Sequence, residues 1–300
     1  MKKKTYLFAL MAMALTLGSC SDNENGIGGE TSKYITVSTS IGNMTRVATD
    51  AKGGQTFEEG DEISVYAWTG APTVAPETRE RVVNNAINKL TNGSWVSTPQ
   101  MLWKNNRDKH YFIGVYPTAA ISDLSAGEYT FDVNKQTESD LLVAVNKDGL
   151  SYNVDEQQTV PLTFTHVMAK LAVNLTYKNQ WGGIPTVEKV VVGNAAKEAT
   201  VNYLTKVVTP STTAKEDFSL PEITENTKYV SVIIPQEEVT QLTIVIGGKN
   251  FVYDNGTPFK LESGKITTVN LEVGRDEIKL GDVKITDWED GSTFGGEALN

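Results

Sequence analysis

Tyr34-Ile-Thr-Val-Ser-Thr-Ser-Ile41 alternates without a break. Ile35, Val37, Thr39 and Ile41 share one face, and Tyr34, Thr36, Ser38 and Ser40 share the other. Side chains on a strand point to opposite sides with a period of two, so this pattern predicts a half-buried β-strand. Outward from it, a loop of small and polar residues runs from Gly42 to Gly54 and carries Arg46. Asp61-Glu-Ile-Ser-Val-Tyr-Ala-Trp68 resumes the alternation, with Ile63, Val65 and Ala67 on one side. Asn92-Gly93 between short apolar stretches marks a hairpin. Lys109 to Tyr116 reads as a further strand, closed by Pro117.

Residues 128–133 and 141–145 continue the strand pattern, and a polar stretch at 146–158 then separates two halves of different character. Val160 to Leu175 is long and apolar, and Val187 to Val192 is β-branched. Tyr229–Ile234, Leu242–Ile246, Phe251–Tyr253, Thr267–Val273 and Val283–Thr286 follow, with Asp254-Asn255-Gly256 as an expected turn. Only residues 78–90 carry a spacing that suggests a helix. Short strands punctuated by Gly, Asn and Pro predict an all-β chain of two consecutive β-sandwich domains, residues 31–158 and 159–300.

The opening residues have a different composition. Met-Lys-Lys-Lys precedes an apolar run from Tyr6 to Leu17. That run is about a dozen residues, against the roughly 20 that a membrane-spanning helix needs. A basic start, a short apolar run and small residues before a cut describe a secretory signal, residues 1–19. Leu17-Gly-Ser-Cys20 resembles a bacterial lipobox, in which the cysteine is lipidated and becomes the first residue. Cys20 is the one cysteine of the chain, so processing leaves no thiol for a disulfide, a metal site or a nucleophile. Several acyl chains on one residue hold a protein firmly to a membrane, whereas one chain binds only marginally. Residues 20–33, rich in Gly, Asn, Ser and Glu, read as a flexible tether.

Charge narrows the function. Cutting after residue 19 removes three lysines and no acids from 27 basic and 37 acidic residues, leaving 24 against 37, a net charge of −13. Phosphate backbones repel such a chain, which argues against nucleic acid as a partner. The two histidines, His110 and His166, both fall in strand patterns with no second histidine or cysteine beside them, and read as packed strand residues. Glu58-Glu59 and Asp61-Glu62 offer the paired carboxylates that glycosidases use, but the entrance of a solvated strand explains them better. Residues 21–26 lack the first-position acid and the twelfth-position glutamate of a calcium loop. No glycine-rich turn links a strand to a helix, so no phosphate loop is expected. The reading is of a non-enzyme with no cofactor and no metal. Five tryptophans (Trp68, Trp95, Trp103, Trp181 and Trp288) could form a carbohydrate platform or simply fill sandwich cores.

Several segments together resemble the fimbrillin-like proteins of Bacteroides and Porphyromonas, subunits of lipoprotein-derived pili. They are Met44-Thr-Arg-Val47, Phe57-Glu-Glu-Gly-Asp-Glu-Ile-Ser-Val-Tyr66, Phe112-Ile-Gly-Val-Tyr-Pro117 and Ser139-Asp-Leu-Leu-Val-Ala144. Leu162-Thr-Phe-Thr-His-Val-Met-Ala-Lys-Leu171, Gly264-Lys-Ile-Thr-Thr-Val-Asn270 and Ile285-Thr-Asp-Trp288 complete the set in order. Ser21-Asp-Asn-Glu24 is similar to acidic tags that route lipoproteins to the surface in Bacteroidetes. The resemblance implies a two-sandwich pilin of Greek-key-like, transthyretin-type topology, lipid-anchored in the outer membrane and extracellular after processing. It implies an arginine-specific protease cutting between Arg46 and Val47, which frees the first strand with its plugs Ile35, Val37, Thr39 and Ile41. A neighbouring subunit then fills the vacated groove, with Ile278, Leu280, Val283 and Ile285 as the candidate donor plugs. Partners on this reading are other pilus subunits, the protease and a host glycan or protein receptor. The alternative is a monomeric surface lipoprotein that binds glycans.

Overall fold

The computed structural model describes residues 33–42, 56–156 and 158–288. Nineteen strands and two single-turn 3-10 helices make up the described residues, so the chain is all-β. The first sheet has seven strands in the order β1-β8-β7-β5-β2-β3-β4. Its members are β1 (Thr36–Ile41), β2 (Glu62–Thr69), β3 (Arg81–Thr91), β4 (Ser94–Thr98), β5 (His110–Tyr116), β7 (Leu142–Leu150) and β8 (Thr159–His166). The strand between them in sequence, β6 (Gly127–Thr130), belongs elsewhere: it joins β11 (Glu198–Asn202) and β12 (Val207–Pro210) in a three-stranded sheet.

Two larger sheets form the second half. A five-stranded one runs β14 (Glu222–Thr224), β15 (Lys228–Ile233), β9 (Ala169–Tyr177), β18 (Lys265–Val273) and β19 (Ile278–Asp287). A four-stranded one runs β13 (Lys215–Ser219), β10 (Val187–Ala196), β16 (Gln236–Ile246) and β17 (Lys249–Leu261). Leu171, Val173, Val269 and Leu271 of the first share one core with Val190, Val192, Leu242 and Ile244 of the second, the arrangement of a β-sandwich.

Strands β2 and β5 are buried on both faces. Ile63, Val65, Ala67 and Phe112 face one core with Ile35, Val37, Leu162 and Phe164. Tyr66, Trp68, Ile113 and Val115 face the other, which continues into the second half. The apolar stretch at 160–175 is two strands, parted at Val167–Met168, where the chain passes from one sheet to the next. Strand β8 begins at residue 159, yet it pairs with β1 and β7 in the first sheet.

Two expectations from the sequence fail. Residues 78–90 are not a helix: Thr78–Glu80 is one 3-10 turn, and Arg81–Thr91 is β3. The reason is a bulge. Val65 pairs with Ala86 and Ala67 with Val83, so β3 carries one extra residue there, and Asn85 takes φ 56°. The extra residue shifts the phase of the alternation, so Val83 and Ala86, three apart, are both buried as they would be on a helix. Likewise, Asp254-Asn255-Gly256 is not a turn, because β17 runs through it. Val239 pairs with Phe259 and Gln241 with Asp254, so the residues that signal a turn are taken up as a bulge. The Asn92-Gly93 hairpin does form between β3 and β4, with φ of 51° and 72° at the two positions.

Gly114 on β5 leaves the space that Phe164 fills. A Cβ there would lie 2.6 Å from the Phe164 ring and 3.2 Å from Leu162. Overpacking of this kind costs about 1–3 kcal/mol. Gly114→Ala is therefore expected to lower stability by that amount in urea unfolding, with an unchanged dependence on denaturant concentration.

Candidate functional site

Strand β1 lies at the edge of the first sheet and runs parallel to β8, from Thr36 opposite Thr159 to Ile41 opposite Phe164. On its other side, its start meets the segment after β4. Tyr34 and Leu102 form an antiparallel bridge, the Ile35 amide donates to the Met101 carbonyl (2.9 Å), and the Trp103 amide donates to that of Lys33 (3.2 Å). The sheet thus curls until β1 stands in the gap between β8 and residues 101–103. Ile35 and Val37 are 2% and 6% exposed, while Thr39 and Ile41 are half-buried. Burying an aliphatic side chain stabilises by about 1.5–3 kcal/mol, so the first two plugs carry most of the adhesion. The outward face is polar: Thr36 meets Thr159 (3.2 Å), and Ser40 donates to the Thr163 hydroxyl (3.1 Å).

Aromatic rings wall the groove. Phe57 sits edge-on to Trp95, Tyr116 and Phe164, at 5.3, 5.4 and 5.1 Å between centroids. Trp95, on β4, donates its indole N–H to the Thr39 hydroxyl at 3.0 Å, a contact that no local sequence pattern announces. Trp103 packs edge-on against His110 and Phe112. His110 is fully buried. Its Nε2 accepts from the Lys104 amide (3.0 Å), which leaves the proton on Nδ1 to donate to the Asp108 carbonyl (3.1 Å). Burial holds its pKa below the ordinary 6.5.

Cys20, Arg46 and Val47 lie outside the described residues. Of the other arginines, Arg81 is buried, and its guanidinium donates to the Ile121 and Ser122 carbonyls. Arg79, Arg107 and Arg275 are exposed. The candidate donor residues are on β19, the edge strand opposite β14 in the five-stranded sheet. Ile278 and Leu280 are half-buried against the main core, whereas Val283 and Ile285 are 36% and 40% exposed. Beyond them, Trp288 is buried. It stacks on His166 (4.0 Å, 7° between planes), with the Lys170 ammonium 4.2 Å over the indole ring and the Asp140 carboxylate 2.9 Å from His166 Nδ1. The sequence showed these residues singly but not that they stack.

The remaining residues of chemical interest are dispersed. Trp68 is buried, Trp181 packs between Phe251 and Arg275, and the other three tryptophans belong to the contacts above, so the five form no platform. The acids at 58–62 serve the turn: Asp61 accepts from the Glu58 amide (2.7 Å), Glu59 from the Asn92 amide (2.7 Å), and Glu62 pairs with Lys89 (3.1 Å).

A fimbrillin-like family model matches residues 45–288. The chain belongs to the fimbrillin-like family. Known structures share the fold. A candidate cell adhesion protein from Bacteroides uniformis superimposes with a TM-score of 0.60 at 20% identity, over 78% of this chain and 93% of that one. One from Bacteroides ovatus gives 0.62 at 17%, over 85% and 98%. A fimbrial protein from Bacteroides vulgatus gives 0.52 at 13%, over 84% and 99%. No curated protein matches the sequence. Membership in the fimbrillin-like family implies a pilus or adhesion subunit at the cell surface that associates with other subunits, a structural role rather than a catalytic one.

Two outcomes follow for this fimbrillin-like chain. A histidine whose folded pKa is depressed contributes stability above its unfolded value and loses it as pH falls toward the folded one. The thermal midpoint should therefore drop below pH 6.5 more steeply in the wild type than in His110→Gln. Trp288→Ala removes the ring that ends β19 and should cost the strand about 3 kcal/mol, seen as roughly hundredfold faster amide exchange in β19 while β5 stays protected.

Proposed function

We propose that the chain is a subunit of a lipoprotein-derived pilus, stalk or accessory, that assembles by protease-triggered strand exchange and mediates adhesion. Cys20 carries the lipid that anchors the precursor in the outer membrane. An arginine-specific protease cuts between Arg46 and Val47, β1 leaves, and a strand of another subunit takes its place in one of two sandwiches with Greek-key-like, transthyretin-type connections. A host glycan or protein is the eventual receptor.

One observation carries this reading: β1 is joined to its sheet along one parallel ladder and at one end of its other edge, yet it fills the core with Ile35 and Val37. Such a strand is separable in connection but costly to leave unfilled. Its loss uncovers Val160, Leu162 and Phe164 together with an unpaired strand edge, which a new strand satisfies through main-chain bonds and alternate plugs. Gly42, just past β1, donates its amide to the Phe164 carbonyl (2.8 Å), and Phe57 packs on the Phe164 ring, so both lie at the groove. The dispersed tryptophans favour this over a glycan-binding monomer.

The test is a timed digest with an arginine-specific protease, read by intact mass and by gels of unboiled samples. The expected result is a first cut at Arg46, ahead of the exposed Arg79, Arg107 and Arg275, followed by a ladder of oligomers. An intact Arg46 bond in a chain that remains monomeric would point to the glycan-binding monomer.

A further inference from the structure

The groove imposes a chemical pattern on any strand that occupies it. Position one, held by Ile35, and position three, held by Val37, are almost closed to solvent and accept only apolar groups. Position five, held by Thr39, differs: the indole N–H of Trp95 points at it from 3.0 Å. Trp95 is half-buried, and a strand with no acceptor at position five takes this hydrogen bond from its indole N–H while covering it from solvent, so an acceptor is favoured there. Even positions face outward beside Thr159 and Thr163, where polar groups belong.

Strand β19 meets that pattern. Val283, Ile285 and Asp287 read apolar, apolar, acceptor, and Lys284 and Thr286 supply the polar even positions. Exchanging Ile35 and Val37 for Val283 and Ile285 also conserves total side-chain volume, the substitution that cores tolerate best. Their side chains bury little where they stand, although their main chain pairs with β18: Val283 and Ile285 are over a third exposed, and Asp287 pairs with Lys265 at the surface.

Other registers fit worse. A shift by one residue turns Lys284 inward. Moving the strand two residues one way sets Asp287 in the closed Val37 position. Moving it two the other way puts Ile285 against the indole N–H and the side-chain-free Gly281 in the Ile35 position. A more distant register, Ile278, Leu280 and Asp282, also supplies an acceptor. It adds a methylene where the core is tight, and it takes from the parent molecule two side chains already packed in its core.

We infer that Trp95 is the register-fixing residue of the groove, and that the strand it selects is residues 283–287 of a second copy of this chain, with Asp287 accepting from the indole. The inference rests on the strand-exchange reading.

The test uses the full chain, cut by the arginine-specific protease, in wild-type form and as Trp95→Phe, Asp287→Ala, Asp287→Thr, Asp282→Ala and the double variant Trp95→Phe/Asp287→Ala. Thermal melts of each before cutting establish that it is folded; Asp287 and Asp282 are exposed, so their variants report even if Trp95→Phe melts early. The readout is the dissociation rate of the oligomers, with a synthetic peptide of residues 281–288 as competitor. Trp95→Phe and Asp287→Ala should each speed dissociation about tenfold or more, the double variant no further, and Asp287→Thr and Asp282→Ala little. Additive losses in the double variant, or a loss that follows Asp282→Ala instead, would overturn the register while leaving strand exchange in place. A cut wild-type chain that neither forms oligomers nor binds the peptide would overturn both.

Discussion

A sheet that curls until its two ends almost meet must fill the remaining gap, and in this protein β1 fills it. Ile35 and Val37 complete a core whose other members come from five further strands and from Met101 and Trp103. Everything around β1 is arranged to receive it. Gly114 gives up its side chain to admit the Phe164 ring, Phe57 packs between Phe164 and Trp95, and buried His110 supports Trp103 on the opposite wall. The enclosure is built by residues far apart in the chain, and the strand that closes it is joined by one parallel ladder and by the bonds at its start.

Strand β19, at the edge of the five-stranded sheet, is built on the reverse principle. Its apolar residues Val283 and Ile285 stand opposite Val269 and Thr267 on the core-facing side of β18, but at the sheet edge, where little covers them. Along its second half hydrophobic contact contributes little, and the ladder to β18 and the Trp288 stack hold it; at its start Ile278 and Leu280 pack on the main core. The stack also reaches β8 through His166, two residues from Phe164 in the groove. One strand therefore touches both the element that fills the groove and the element that ends the chain's described part.

Much of this was legible in the sequence because alternation survives wherever one face of a strand is buried. The faces of Tyr34–Ile41 and the inward set Ile63, Val65 and Ala67 follow from period-two reading, and the hairpin from the Asn92-Gly93 turn signal. The reading failed where a bulge broke the period: Asn84 and Asn85 displaced the phase of β3 enough to imitate a helix, and β17 absorbed a turn signal without turning. Of the groove, the inward face of β1 was legible and the walls were not. Trp95 and Thr39 lie 56 residues apart, and nothing local to either announces their hydrogen bond. The Trp288 stack draws on four separate elements and is equally invisible to a local pattern.

The short strand β6 has a consequence of its own. Gly127–Thr130 lies in sequence between strands of the first sheet, yet it pairs with β11, some seventy residues later, and Gly127 sits against the Tyr203 ring. A gene divided at the change of sheet, after Val167, would leave one product with an orphaned strand and the other with an uncovered aromatic ring. The two halves are thus not interchangeable modules, because a cut between them breaks the β6–β11 pairing.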